Sequence, residues 1–190
     1  IGYDDKEKAA ILLPHLAALK RIALVLRLRE IAELQNDQND KALADVKLSL
    51  RLAEAIRSEP FLISHLVRIA VIEITLQPIY EGLAQNKWSD GQLADLDSEL
   101  AKLDFLADYG TAMRGERALA IQNVESIRHS HNRLRVLTNM SGDWDNTSPD
   151  GLMAVLLSFG PSGWLDQNEL RISRFHSQWY LPAVNVPDRV

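Results

Sequence analysis

Residues 61–76, FLISHLVRIAVIEITL, constrain the fold most. Apolar side chains fall on nearly every side of a helix drawn through them, and such a helix is expected to be enclosed by neighbours rather than laid on a surface. Pro60 restarts the chain before the stretch. Pro78 is expected to break or kink the helix after it, because proline lacks the N–H and its ring crowds the preceding turn. A central helix therefore needs surroundings, and the rest of the chain must supply them. The helix also holds His65, Arg68 and Glu73. Arg68 and Glu73 project about 140° apart, so each is expected to find its own buried partner.

The surroundings read as helices. Pro14 suits a first turn, where its missing N–H is no loss, and Leu16, Leu19, Ile22, Leu26 and Ile31 form a stripe ending near Leu34. The turn QNDQND follows, with Asp40 placed to cap a helix running to about Ser58. Past Pro78 a shorter piece runs through about Gln85. Ser89 and Gln92 have capping-box spacing and open a helix from Asp90 to about Phe105, with Leu93, Leu96, Leu100 and Leu103 as its stripe. A long helix from about Ala107 to Ile127 or beyond contains Gly110 and Gly115, each unfavourable by about 1 kcal/mol relative to alanine. Residues 139–150 have loop composition. They precede a short apolar helix from Gly151 to Phe159, a Gly-Pro-Ser-Gly turn with Ser162 as cap, and a proline-containing tail. Strand-length alternation with hairpin signals is missing. The expected class is all-α: antiparallel helical hairpins, TPR-like or an irregular bundle, with an aromatic-rich C-terminal helix docked on the core. Residues 1–138 make the bundle and 139–190 pack on it as one domain.

A length of 190 residues suits one domain with a continuous core. With a net charge of −5 and a pI near 5.5, the chain lacks the basic footprint that sequence-independent nucleic-acid binding needs, so no nucleic acid is expected as partner. The cysteine count of 0 excludes a disulfide framework, a thiolate nucleophile and a cysteine-ligated zinc. No apolar run reaches the roughly 18 residues of a membrane span, so no transmembrane segment is expected in this chain. The start at Ile1 fits a processed or truncated product.

Two resemblances add to this reading. Leu28, Ile31 and Ala32, followed by Ala44 and Leu48, resemble the spacing by which a tetratricopeptide repeat sets small residues where its two helices cross. Gln35 stands where an aromatic is usual, Arg51 where a small residue is, and no second copy recurs at that repeat's period. The segments EPFLISHLVRIAVIEITLQPIYEGL, LDFLADYGTAMRGERALA and PSGWLDQNELRISRFH resemble uncharacterised helical proteins of Verrucomicrobia and related Planctomycetes. That resemblance implies an envelope-facing, extracytoplasmic domain behind a hydrophobic anchor, and implies no activity.

Candidate chemistry is sparse. Arg114, Glu116 and Arg117 flank Gly115 in MRGERALA and, with Arg68 and Glu73, form the candidate ligand site. They read either as a buried structural network, since an arginine fork matches a carboxylate, or as a polar pocket between helices with Glu73 as a base. His129 and His131 are two apart, which is not the spacing that lets one helix grip a metal. Phosphate loops, nucleophile elbows and zinc-protease motifs are missing, and no cofactor, metal or catalytic residue is assigned.

The C-terminal region carries the strongest compositional signal: Trp144, Phe159, Trp164, Phe175, Trp179 and Tyr180 lie in its last 50 residues, out of 12 aromatics in all. Helical spacing sets Trp164, Asn168, Arg171, Phe175 and Trp179 in one stripe. Docked on the bundle, the stripe is a clasp, with Asn168 and Arg171 bonded to carbonyls or acidic groups of the core. Exposed, Trp164, Arg171 and Trp179 become anchors for a partner. The expected function is a noncatalytic helical scaffold binding a protein or peptide; the alternative is an enzyme or small-ligand binder built on the pocket around Glu73, Glu116 and the arginines.

Overall fold

The computed structural model describes residues 13–129, 162–180 and 182. The loop expected at 139–150, the helix expected at 151–159, His131 and most of the C-terminal tail lie outside the described residues. The described residues form helices joined by short turns, with no strand among them, which gives the all-α class: α1 (Pro14–Gln35), α2 (Asn39–Ala55), α3 (Leu62–Ala84), α4 (Asp90–Leu100), α5 (Phe105–His129) and α6 (Ser162–Phe175), followed by a π-helical turn, His176–Tyr180. They divide into two compact units, Leu13–Met113 and the described residues from Arg114 onward.

In Leu13–Met113, α1, α2 and α3 pack pairwise as an up-down-up bundle. His15 at the start of α1 meets Glu59 before α3 at 2.8 Å, while Gln35 at the end of α1 meets Gln85 at the end of α3 at 3.2 Å. Pro14 opens α1 as expected. The buried stripe, however, is Leu16, Ala23, Leu26, Glu30 and Leu34, and Ile22 is 46% exposed. Steps of three and four kept on one face lead through Glu30, a position that a search for apolar side chains passes over. The buried positions of α1 and α2 likewise include Ala23, Leu34, Ala42 and Val46, while Leu28, Ala32, Ala44 and Leu48 are exposed.

Helix ends follow from short polar residues. α1 and α3 both close with a left-handed residue, Asp37 (φ 57°) and Asn86 (φ 53°). Each makes the paired Schellman bonds: Gln38 N–H to Glu33 O at 2.9 Å and Asp37 N–H to Leu34 O, then Lys87 N–H to Gly82 O at 2.8 Å and Asn86 N–H to Leu83 O. Asp and Asn tolerate this conformation better than other residues with a Cβ. The two ends are joined by a Lys87–Asp37 ion pair and by Asn39 Nδ2 donating to Lys87 O at 2.6 Å. Asp40 does not cap α2. It lies inside the first turn and accepts from Gln92 Nε2 at 2.7 Å, tying α2 to α4.

Pro78 does not break α3, which runs on to Ala84 with the proline buried inside it. Substitution-scale losses for an interior proline are about 3 kcal/mol, which packing along a 23-residue helix in contact with α1 and α2 offsets. α3 is also the one described helix long and apolar enough, by length and composition alone, to cross a bilayer. It is not enclosed on every side: Ile63, Leu66, Ile69, Leu76, Tyr80 and Leu83 are each between 37% and 75% exposed. Ser89 and Gln92 form the expected capping box of α4, and α4 ends at Leu100 because Asp104 starts the next helix, accepting from Ala107 N–H at 2.9 Å.

The main core joins Leu34, Ala42, Leu43, Val46, Leu50, Ile79, Trp88 and Leu96. Trp88 donates from Nε1 to Ile79 O at 3.0 Å, and its indole lies so close to Gly82 that a Cβ there would sit 2.2 Å from Nε1. Gly82→Ala is therefore expected to destabilise by about 1–3 kcal/mol through overpacking despite a better helix former. Gly91→Ala, with nothing within 4 Å of the added Cβ, should raise stability by a few tenths of a kcal/mol up to about 1. Urea unfolding of the two variants checks the opposite signs.

Candidate functional site

Arg68 is the largest fully buried side chain of the bundle, 1% exposed. Its Nη1 donates to Asp108 Oδ2 at 2.5 Å and its Nη2 to Glu54 Oε2 at 3.3 Å. Arg57 closes the ring from the other side, with Nε to Asp108 Oδ1 at 2.8 Å and Nη1 to Glu54 Oε1 at 3.0 Å. Two cations and two carboxylates thus alternate, fastening α2, α3 and the first turn of α5. Asp108 gains further from the N-terminal end of the α5 dipole. Hydrogen bonds to Asp108 and then Glu54 hold the Arg57 guanidinium above its ordinary pKa. The Arg68 guanidinium also stands 5.7 Å from the Phe105 ring centroid, within cation–π range. Beside it, His65 packs on Tyr109 at 5.8 Å. Burial first, and then the Arg68 charge, push its imidazole below the usual value, so it is neutral at pH 7.

This ring is charge-balanced, which suits it to fastening helices rather than to capturing an ion. Breaking one side of a buried pair strands the other charge, at a typical cost of about 3–5 kcal/mol. Asp108→Ala should therefore unfold at markedly lower denaturant than the parent. Arg68→Met combined with Asp108→Ala should lose less than the sum of the single losses; additive losses in the double-mutant cycle would refute the coupling.

A second polar centre lies between α1 and α2. Glu30, 0% exposed, accepts from Ser49 Oγ at 2.8 Å through Oε1, while Oε2 has no partner. Asp45 is held by a two-pronged pair with Arg29. Burial pushes the Glu30 carboxyl up to about 7; the Ser49 bond opposes the shift, and the charges of Asp45 and Glu33 add to it. In the unfolded chain Glu30 ionises near its ordinary 4.5. Between these values only the unfolded state carries the charge, so stability falls as pH rises from about 5 to about 7 and then levels off. Glu30→Gln should lose that slope and be more stable than the parent at pH 8, by at most about 3 kcal/mol on the scale of 1.36 kcal/mol per pK unit. Thermal unfolding across pH 4.5–8 measures it.

The unit from Arg114 onward is tied by Arg128. Its Nη1 meets Glu125 Oε1 at 2.5 Å, and its Nη2 meets Glu169 Oε2 at 3.1 Å and also Asp166, so the end of α5 grips α6. His129 is engaged by Glu125 at 3.1 Å. On α6, Leu165 is 5% exposed, but Trp164, Phe175 and Trp179 are 43%, 52% and 71% exposed, against the expectation of covered rings. Asn168 donates to the Trp164 carbonyl of its own helix at 2.8 Å. Arg171 has no acidic partner among the described residues. The π turn changes the helical phase after Phe175: its i→i+5 pattern brings Tyr180 over Phe175, with ring centroids 5.2 Å apart at 75°. Trp179 then lines, with Arg171, Ile172, Arg174, Phe175 and Gln178, an open groove of about 420 Å³.

Of the residues assigned to a ligand site, Arg68 and Glu73 lie on different sides of α3. Arg68 is buried in its ring, whereas Glu73 lies exposed on the opposite side of α3 and is no part of the buried network. Its place there is taken by Asp108 and Glu54. Arg114, Glu116 and Arg117 belong to the other unit, the first exposed and the other two partly buried. Among the described residues no group of histidines and carboxylates could hold a metal. Comparison with protein-family models, with curated proteins and with solved structures gives no match.

Proposed function

We propose that the chain is a noncatalytic helical interaction domain that takes a protein or peptide segment in the groove of α6 and the π turn. The observation that carries this reading is the exposure of Phe175 and Trp179 beside Arg171 in one groove. Tryptophan and arginine are the residues most enriched among binding hot spots. Arg171 and Arg174 have no acidic partner among the described residues, so the fitting segment carries a carboxylate next to an apolar side chain.

Selection from a displayed library of random 12-residue peptides tests the reading. The selected peptides should combine Asp or Glu with Leu, Ile or Phe, and should shift the tryptophan emission to shorter wavelength. Trp179→Ala and Arg171→Glu should each weaken them at least tenfold, about 1.4 kcal/mol. An empty selection, or binders indifferent to both substitutions, overturns the proposal.

A further inference from the structure

The outer face of α3 has the spacing of a helix-pairing seam. Leu66, Ile69, Glu73, Leu76, Tyr80 and Leu83 follow at alternating steps of three and four, the a and d positions of a heptad. All six are exposed. Alongside runs the row Ile63, Ala70, Gln77 and Ala84, which is uncharged and, through its two alanines, leaves room for another helix to approach. Among the exposed positions of α3, Glu73 is the one charge.

We infer that α3 pairs through this seam with α3 of a second copy of the chain, antiparallel, about a two-fold axis between Ile74 and Thr75. The spacing is its own mirror image about that point. Glu73 meets Leu76 of the second copy, Ile69 meets Tyr80, and Leu66 meets Leu83, so every a position falls on a d position. A two-fold contact requires this self-complementarity. In a parallel pair the two Glu73 carboxylates would share one layer, and like charges there are unfavourable; the antiparallel register sets each against leucine instead. Area supports the same occupant. The six large side chains Ile63, Leu66, Ile69, Leu76, Tyr80 and Leu83, between 37% and 75% exposed, offer a large part of the about 800 Å² per partner that a standard interface removes from water. A patch of that extent is at the upper end of what monomers leave open.

Sedimentation equilibrium of the full chain across the micromolar range should give the mass of two 21.4 kDa chains. Leu76→Glu should yield a monomer with unchanged far-UV circular dichroism, because the side chain is already 41% exposed. Glu73→Leu should tighten the pair by about tenfold, a gain that misfolding cannot mimic. The chain has 0 cysteines, so introduced thiols report the register without background. Leu66→Cys with Leu83→Cys in one chain should oxidise to a linked dimer, whereas Leu66→Cys alone should not, its mates lying about 25 Å apart. A monomer throughout, a dimer indifferent to both seam substitutions, or linkage by Leu66→Cys alone would overturn the inference. Trp179→Ala should leave the dimer mass unchanged, which keeps this result separate from peptide binding at α6.

Discussion

The placement of one guanidinium governs the bundle. Arg68 lies in the middle of the most apolar helix of the chain, and that helix has two ways to face. Turned outward, Arg68 would be solvated and the leucines and isoleucines of the opposite side would fill the core. Turned inward, it needs carboxylates, and it has them: Asp108 from the first turn of α5 and Glu54 from α2, each also held by Arg57. The inward choice carries Ser64, His65 and Thr75 into the interior with it. It also leaves Ile63, Leu66, Ile69, Leu76, Tyr80 and Leu83 on the outside. Buried ion pairs contribute little net stability compared with well-packed apolar residues. What the ring supplies is orientation, since the observed rotation of α3 gives Arg68 two carboxylates.

Glu30 extends the same logic to the other side of the bundle. Its carboxyl occupies a position of the α1 stripe that Leu26 and Leu34 flank by one helical turn each, and Ser49 on α2 is the matching donor. Polar groups thus register both α1 against α2 and α3 against α2 and α5. An apolar contact tolerates sliding by a fraction of a turn; a hydrogen-bonded carboxylate in a dry interior does not, because a lost partner is uncompensated.

Much of this was legible in the residues, and the rest was not for identifiable reasons. The helices at Pro14, Asp90 and the long α5 announce themselves through proline position, a capping box and periodicity. The run through Pro78 was not legible, because local propensity opposes it and only packing against α1 and α2 overrides the loss. The ring was half legible. Arg68 stood out as a charge that needed a partner, but Glu54 and Asp108 lie 14 and 40 positions away in sequence, and nothing local distinguishes them from solvated acids. Glu73, nearer in sequence, drew the assignment instead. Glu30 left a readable trace, a glutamate in phase with buried leucines, hidden because an apolar stripe is defined by its apolar residues alone. On α6 the stripe was legible as far as Phe175, and the π turn, which has no sequence signature of its own here, moved Trp179 into the groove.

The interior and the surface of α3 are consequences of each other. A helix this apolar carries enough leucine and isoleucine for two faces, and the bundle uses the less apolar of them as its core. Were burial of apolar area within one chain the only term, the helix would rotate and expose Arg68, since each half-exposed leucine or isoleucine forgoes burial worth on the order of 1 kcal/mol. The observed rotation is therefore intelligible when the outer face has its own use. Burying that face in an assembly recovers the area that the inward arginine displaces, and the charge ring then acts as the device that keeps the seam turned outward.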